Sequence, residues 1–254
     1  MPSQTIIFDL EGTLIQLKVD DSKVLDFLLG ELRRLNPGAN FQRAYGVAEI
    51  LRQAEGKVES TALEETKKSV SKELAEAEVA CATSTTVRKD ARNAISSLQS
   101  KGIKAGVITG LSEKGAKEAL KHANLEGTVT IFGSRDDSMD RKERIATALK
   151  KSGSKPDDTI LVADGPRDVA EAKASGVRCF AVFSQENPVN QVLASKPDAF
   201  LFSVSELEDT MLLFAQQSHL QQPKHAAEAG AAKSAAAPEK AQSAEAGPET
   251  TGGP

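Results

Sequence analysis

The sequence predicts an α/β protein built on a parallel sheet, with a helical insertion after the first strand and a disordered tail at the C-terminus. Three observations carry this expectation. A short apolar, β-branched run, Thr5-Ile6-Ile7-Phe8, opens the chain and reads as a strand buried on both faces. From Thr85 onward helix and strand patterns alternate regularly, which implies parallel strands joined by right-handed helical crossovers. Between these regions, residues 15–83 carry helical periodicity without a strand signal.

The opening strand ends in Asp9-Leu10-Glu11-Gly12-Thr13, so it delivers two carboxylates to its carboxyl end, where open α/β sheets place ligands. A carboxylate there can be a nucleophile, a metal ligand or both. Gly12 lets the chain turn sharply. In the insertion, Ser22 is expected to cap a helix whose Val24, Leu25, Leu28, Leu29, Leu32 and Leu35 share one face, before Asn36-Pro37-Gly38 stops it. A second helix is expected from about Phe41 to Ala54, with Tyr45, Val47, Ile50 and Leu51 inward, and a third from about Ser60 to Glu78. The third is charge-rich and reads as a solvated face.

In the alternating half, a helix through Ala91, Ile95 and Leu98 ends at Gly102, and residues 103–108 read as a strand finishing at Thr109-Gly110. Ser112 can cap the next helix, through Ala116, Ala119 and Leu120. Residues 128–132 read as a strand, and Asp140 with Glu143 makes a capping-box-like start for a helix through Ile145 and Leu149. The strand at 159–163 stops at Asp164, and Pro166 suits the first turn of a helix that ends at Gly176. Strands at 177–182 and 199–202 and a helix at 207–215 complete the pattern. The expected organisation is a core of residues 1–14 and 84–220, a helical module of 15–83, and a low-complexity tail of 221–254. The tail's Ala, Pro, Glu, Gln, Gly and Ser cannot bury enough apolar surface to offset its ordering entropy.

With 254 residues and 39% hydrophobic content the chain can bury a sizeable core, which must be aliphatic because there is no Trp, one Tyr and nine Phe. A formal charge of −4, with no dense basic tract, argues against a general nucleic-acid binder. Cys81 and Cys179 are too few for a disulfide framework and sit in no metal-like cluster. The first strand begins within a few residues of Met1, which leaves no room for a signal peptide, and no apolar run is long enough to span a bilayer. The expected setting is cytoplasmic, with no nucleic-acid or membrane partner.

Strand ends of a parallel sheet share one edge. Asp9 and Glu11, then Thr109-Gly110, then Lys142, then Asp164 with Asp168 are therefore expected to converge on a single site. Each has a plain structural explanation by itself; Asp164 and Asp168, for instance, can stabilise a helix N-terminus through its dipole. Lys142 is the most telling, because a cation in the first helical turn opposes that dipole and gains nothing unless an anion sits beside it.

These segments resemble the haloacid dehalogenase-like superfamily, most closely its small-capped phosphatases of the phosphoglycolate phosphatase type. Phe8-Asp9-Leu10-Glu11-Gly12-Thr13-Leu14 matches its first motif, Val107-Ile108-Thr109-Gly110 the second, Arg141-Lys142-Glu143-Arg144-Ile145 the lysine motif, and residues 161–168 the acidic fourth. The resemblance covers residues 1–215. It implies a Rossmann-like core, with the 15–83 insertion as a helical cap over the active site. It also implies Mg²⁺ held by Asp9, Asp164 and the main-chain carbonyl of Glu11. Asp9 would attack phosphorus to form an aspartyl-phosphate, while Lys142, Thr109 and the Gly110 amide offset the phosphate charge. Glu11 would serve as general acid and then general base, and Asp168 would orient Lys142 or a metal-bound water. The implied substrate is a small phosphorylated metabolite such as phosphoglycolate. Two positions depart from the family pattern: Glu11 stands where Asp is usual, and Ala163 where Gly is usual.

Rival readings keep parts of this arrangement. A carbon-directed hydrolase such as a dehalogenase retains Asp9 but needs neither Glu11 nor Mg²⁺. A phospho-acceptor signalling domain would carry its acceptor on a middle strand, without the insertion. A non-catalytic phosphate-binding or scaffold protein is favoured only by Glu11. Candidate specificity residues in the insertion are Lys18, Arg33, Arg34, Arg43 and Arg52.

Overall fold

The computed structural model describes residues 5–43 and 46–220. Strand β1 (Thr5–Asp9) is buried along its whole length, as its apolar run requires. After the two-residue strand β2 (Ile15–Gln16) come helices α1 (Ser22–Leu35), α2 (Val47–Ala54) and α3 (Ser60–Cys81). The chain returns through β3 (Thr86–Val87), which pairs antiparallel with β2. The remainder alternates as α4 (Ala91–Ser100), β4 (Lys104–Ile108), α5 (Glu113–His122), β5 (Thr130–Gly133), α6 (Arg141–Ser152) and β6 (Thr159–Ala163). It continues with α7 (Pro166–Ala174), β7 (Arg178–Val182), α8 (Val189–Ala194), β8 (Ala199–Leu201) and α9 (Leu207–Leu220).

The main sheet runs β5-β4-β1-β6-β7-β8, and every pairing in it is parallel. Strand β1 therefore lies between β4 and β6, and its carboxyl end is the point where the crossovers diverge and open a crevice. Beneath α6 and α7, Ile7 packs with Ile108, Leu161, Ile145 and Val169. The inserted helices have an apolar cluster of their own: Val24, Leu28 and Leu32 meet Ile50, Leu51, Leu63 and Val70 around Phe41. Each such buried side chain contributes about 1.5–3 kcal/mol.

Several element boundaries differ from the sequence reading. Ser22 begins α1 without capping it; Asp21 holds the N-cap position, and the Ser22 hydroxyl donates to Asp20. Helix α2 starts only at Val47, with Phe41 buried in the connection before it. Tyr45, expected inward, lies outside the described residues. Helix α3 is capped by the Glu59 carboxylate, which accepts from the Thr61 and Ala62 N–H groups at 2.9 and 2.8 Å. It extends to Cys81, and its Glu78 is buried rather than solvated. Helix α8 has no counterpart in the sequence reading, since six residues are too few to show a period.

By its internal contacts the chain divides after Thr210, and the second unit is described only as the continuation of α9 to Leu220. Residues 221–254, expected as a disordered tail, lie outside the described residues. Among the described residues no helix is long and apolar enough to cross a membrane.

Candidate active site

Asp9 is the last residue of β1, Thr109 the first after β4 and Asp164 the first after β6, so three adjacent strand ends bring them together. All three are buried. The chain folds back immediately after Asp9: Leu10 N–H donates to the Ile108 carbonyl at 3.1 Å and Gly12 N–H to the Ile15 carbonyl at 2.8 Å. Gly12 has φ +78°, and a Cβ there would lie 2.3 Å from Oδ2 of Asp164. Glycine meets both demands, adopting the left-handed conformation and leaving Asp164 its space. Arg88, just after β3, clamps the turn by donating from Nη1 to the Gly12 carbonyl at 2.7 Å and from Nη2 to the Phe183 carbonyl.

Carboxylate oxygens of Asp9, Asp164 and Asp168 lie within 4.8 Å of one another. Asp168 is set by the first turn of α7, where its Oδ2 accepts from Gly165 N–H at 3.1 Å. Asp164 Oδ2 accepts from Asn187 Nδ2 at 3.0 Å. The Glu11 side chain goes elsewhere: its Oε2 accepts from the Thr109 hydroxyl at 2.5 Å, and that hydroxyl oxygen in turn accepts from Leu111 N–H at 3.0 Å.

Among the described residues the cation that meets these acids is Arg141, whereas Lys142, expected here, points to solvent. Arg141 Nη2 donates to Asp9 Oδ1 at 2.8 Å, and Nε lies 3.0 Å from Asp168 and 3.7 Å from Glu171. Lys142 is exposed, with its backbone N–H held by Asp140 Oδ1 at 2.8 Å. Asp140 is the N-cap and so fixes Arg141 as the first helical residue. Successive helical residues diverge by about 100°, so one faces the sheet edge and the next faces solvent. The signal was present in the sequence: Arg141 shares the i, i+4, i+7 face of the buried Ile145 and Ala148, and Lys142 falls off it.

Burial pushes the Asp9 carboxyl well above its usual range; Arg141 opposes this, and Asp168, Glu11 and Asp164 add to it. Burial also raises Glu11 against the hydrogen bond from Thr109, and raises Asp168 against Arg141. Desolvation works against the charge of Arg141 as well, but Asp9 and Asp168 outweigh it and hold the guanidinium more firmly protonated than usual. Crowded carboxylates with only oxygen donors fit a hard divalent cation, whose charge would relieve their mutual repulsion.

Helix α3 reaches the same edge through Glu78, which is 2% exposed. Glu78 accepts from the Ser112 N–H at 2.9 Å and the Ser112 hydroxyl at 2.7 Å, and it pairs with Arg135. Arg135 also donates to the Gly110 carbonyl at 2.9 Å, so the Thr109-Gly110 loop is braced against the insertion. Sequence reasoning missed this pair, as it missed Arg88 and Asn187. Of the insertion's candidate specificity residues, Lys18, Arg33 and Arg34 are exposed, and Arg43 pairs with Asp26. Arg52 pairs with Glu49 and borders a cavity of about 570 Å³. A smaller cavity of about 260 Å³ lies between the inserted helices and the strand ends, with Glu11 and Gly110 in its wall.

Fold and site together define a class: a doubly wound α/β protein with an aspartate-centred, arginine-compensated site at the switch point of its sheet. Within that class, residues 6–182 match the family model described as haloacid dehalogenase-like hydrolase, and the chain belongs to this family. It is 26% identical over 211 residues to phosphoglycolate phosphatase 1 of Pseudomonas aeruginosa, a match covering 80% of this chain and 77% of the relative. It is 27% identical over 113 residues to the pyrophosphatase PpaX of Bacillus pumilus, covering 43% of this chain and 52% of the relative. The chain thus spans about half the length of PpaX. A crystal structure of a hydrolase from Pseudomonas syringae shares the fold with a TM-score of 0.56 at 15% identity, covering 82% of this chain and 97% of that one.

Proposed function

We propose that this protein is a Mg²⁺-dependent phosphatase that hydrolyses a small phosphorylated metabolite, a phosphoglycolate-like phosphomonoester, through an aspartyl-phosphate on Asp9. The observation that carries the reading is the pairing of Asp9 with Arg141 at 2.8 Å inside a cluster of carboxylates at the end of the central strand. The likeness to phosphoglycolate phosphatase 1 of Pseudomonas aeruginosa supports the substrate class.

The substrate's phosphoryl group sits beside Asp9. Arg141 moves its hydrogen bond from Asp9 to a phosphoryl oxygen, which frees the nucleophile and offsets the repulsion between two anions. A carboxylate oxygen of Asp9 attacks phosphorus, the bond from phosphorus to the alcohol oxygen breaks, and protonated Glu11 gives its proton to the departing oxygen. Glu11, now a carboxylate, takes a proton from water. The water oxygen attacks phosphorus, the bond to Asp9 breaks, and phosphate leaves with the carboxylate restored. Burial raises Glu11 towards the proton-carrying form that the first step needs, and the Thr109 hydroxyl holds it in position. The Gly110 amide is a further donor to the phosphoryl oxygens.

Asp9, Asp164 and Asp168 would hold Mg²⁺, with the main-chain carbonyl of Glu11 as a further ligand, and the bound ion neutralises phosphoryl charge. Residues 15–83 act as the cap that excludes water and selects the substrate, over a core of residues 1–14 and 84–220. Two unpaired cysteines, Cys81 and Cys179, suit a reducing compartment, and we place the reaction in the cytoplasm. A second reading, with inorganic pyrophosphate as substrate, is favoured by the likeness to PpaX.

Phosphate release from phosphoglycolate, pyrophosphate and p-nitrophenyl phosphate, with Mg²⁺ and with excess EDTA, tests the proposal on the parent and on Asp9→Asn. The expected result is turnover that needs Mg²⁺ and vanishes in Asp9→Asn. Turnover retained by the variant refutes Asp9 as nucleophile, and turnover indifferent to EDTA refutes the metal. Silence across a broad panel of phosphorylated metabolites refutes the phosphatase.

A further inference from the structure

The 260 Å³ cavity beside the strand ends is lined by two arginines that the chemistry above does not use, Arg135 and Arg144. Arg144 lies one turn beyond Arg141 on α6 and is 6% exposed. Helical side chains lean back towards the N-terminus, and Arg144 Nη1 reaches the carbonyls of Ser138 at 2.8 Å and Met139 at 2.9 Å, just ahead of the helix. Its Nε is buried without a hydrogen-bond partner. Burial of a guanidinium is ordinarily compensated by a carboxylate, and here Nη1 is bonded to neutral carbonyls. Burial and the nearby Arg141 disfavour its charge and outweigh Glu11, Asp9 and Glu171, which favour it. Among the cavity's other charged residues, Glu78 and Arg135 satisfy each other, Glu11 is engaged by Thr109, and Asp21 stands at the start of α1.

Resting on the phosphatase reading, we propose that Arg144 receives a second anionic group of the substrate, a carboxylate or a second phosphoryl, while the group to be cleaved sits at Asp9 and Arg141. Arg141 and Arg144 are three residues apart, a spacing that sets Cβ atoms about 5–6 Å from each other. A substrate that engages both arginines from this one helical turn carries its two anionic groups on a short link. Apolar side chains, Val47, Leu74 and Met139 among them, line the rest of this cavity of about 260 Å³, a size suited to a small substrate. The substrate class is a small phosphate compound with a second negative charge close to the phosphorus.

Steady-state kinetics of the parent, Arg144→Met and Arg144→Lys on 2-phosphoglycolate, pyrophosphate and 2-hydroxyethyl phosphate test this. The last substrate replaces the carboxylate by a neutral hydroxymethyl group. The parent should favour an anionic substrate over the neutral one by about ten- to a hundredfold in kcat/KM, the range of a charge-assisted hydrogen bond. Arg144→Met should bring that ratio close to unity through KM, and Arg144→Lys should recover part of it. Preference for phosphoglycolate alone identifies a carboxylate as the guest, and preference for pyrophosphate alone a phosphoryl. An unaltered ratio, or equal losses on all three substrates, overturns the assignment. Calorimetric binding of phosphonoacetate against ethylphosphonate, on variants shown to be folded by circular dichroism, separates this proposal from the phosphatase itself. A preference for phosphonoacetate that Arg144→Met abolishes supports the subsite even without turnover, and equal binding of the two overturns it.

Discussion

Glu78→Met removes the carboxylate that joins α3 to the loops following β4 and β5. The side chains of Arg135 and Glu78 are 7% and 2% exposed, so water cannot compensate the guanidinium that is left behind. Loss of one member of a buried pair costs about 3–5 kcal/mol. The Ser112 N–H and hydroxyl, bonded to Glu78 at 2.9 and 2.7 Å, lose their acceptor in the same step, which places the expected cost at the upper end of that range. At roughly 2–4 °C per kcal/mol for a body of this size, Tm falls by about 10–20 °C. The double variant Glu78→Met with Arg135→Met strands no charge, so its cost should fall short of the summed singles by about 1.5–3 kcal/mol. Urea unfolding of the four proteins, followed by circular dichroism with m compared across them, closes the cycle. A cost below about 1 kcal/mol for Glu78→Met, the value of an exposed pair, or strictly additive singles would refute the claim that this pair braces the joint.

Further predictions concern the site and the core. Gly12→Ala should cost about 1–2 kcal/mol for its left-handed backbone and displace Asp164, whose Oδ2 would lie 2.3 Å from the new Cβ. Calorimetry should show weaker Mg²⁺ binding, and an unchanged affinity would remove Asp164 from the ligand set. Arg141→Met should lower kcat by about 10²–10³-fold, as loss of a charge-stabilising donor does, whereas Lys142→Met should stay within about twofold, as surface changes do; the reverse order would restore Lys142 as the site's cation. Burial pushes the Cys179 thiol up from 9.0 to about 12. Between those values the unfolded chain has lost a proton that the folded chain keeps, so stability is full below pH 9 and declines as pH rises towards 12. Cys179→Ala should flatten that alkaline decline in urea titrations, and an unaltered slope would assign it to other groups.

Much of the frame was legible before any coordinates. Strand β1, the strand ends at Asp9, Thr109 and Asp164, and the turn at Gly12 are local features, written in short apolar runs and the residues that stop them. Local chemistry determines them because backbone hydrogen bonding and turn conformation depend on near neighbours in the chain. Arg141 could also have been read from the sequence, since the phase of α6 follows from its N-cap and its buried face. Tertiary structure alone decided the rest. The β2–β3 ribbon has two residues per strand and so no period to detect. Thr109 meets Glu11 across 98 residues and Arg135 meets Glu78 across 57, contacts that exist because β1 is inserted between β4 and β6 and because α3 comes back to their ends. Periodicity tells which face of a helix is buried, but the partner of that face depends on strand order and on how the chain returns. For that reason the sequence determined where the acids stand, and the packed fold decided which side chains brace them, Thr109 on Glu11 and Glu78 on Arg135.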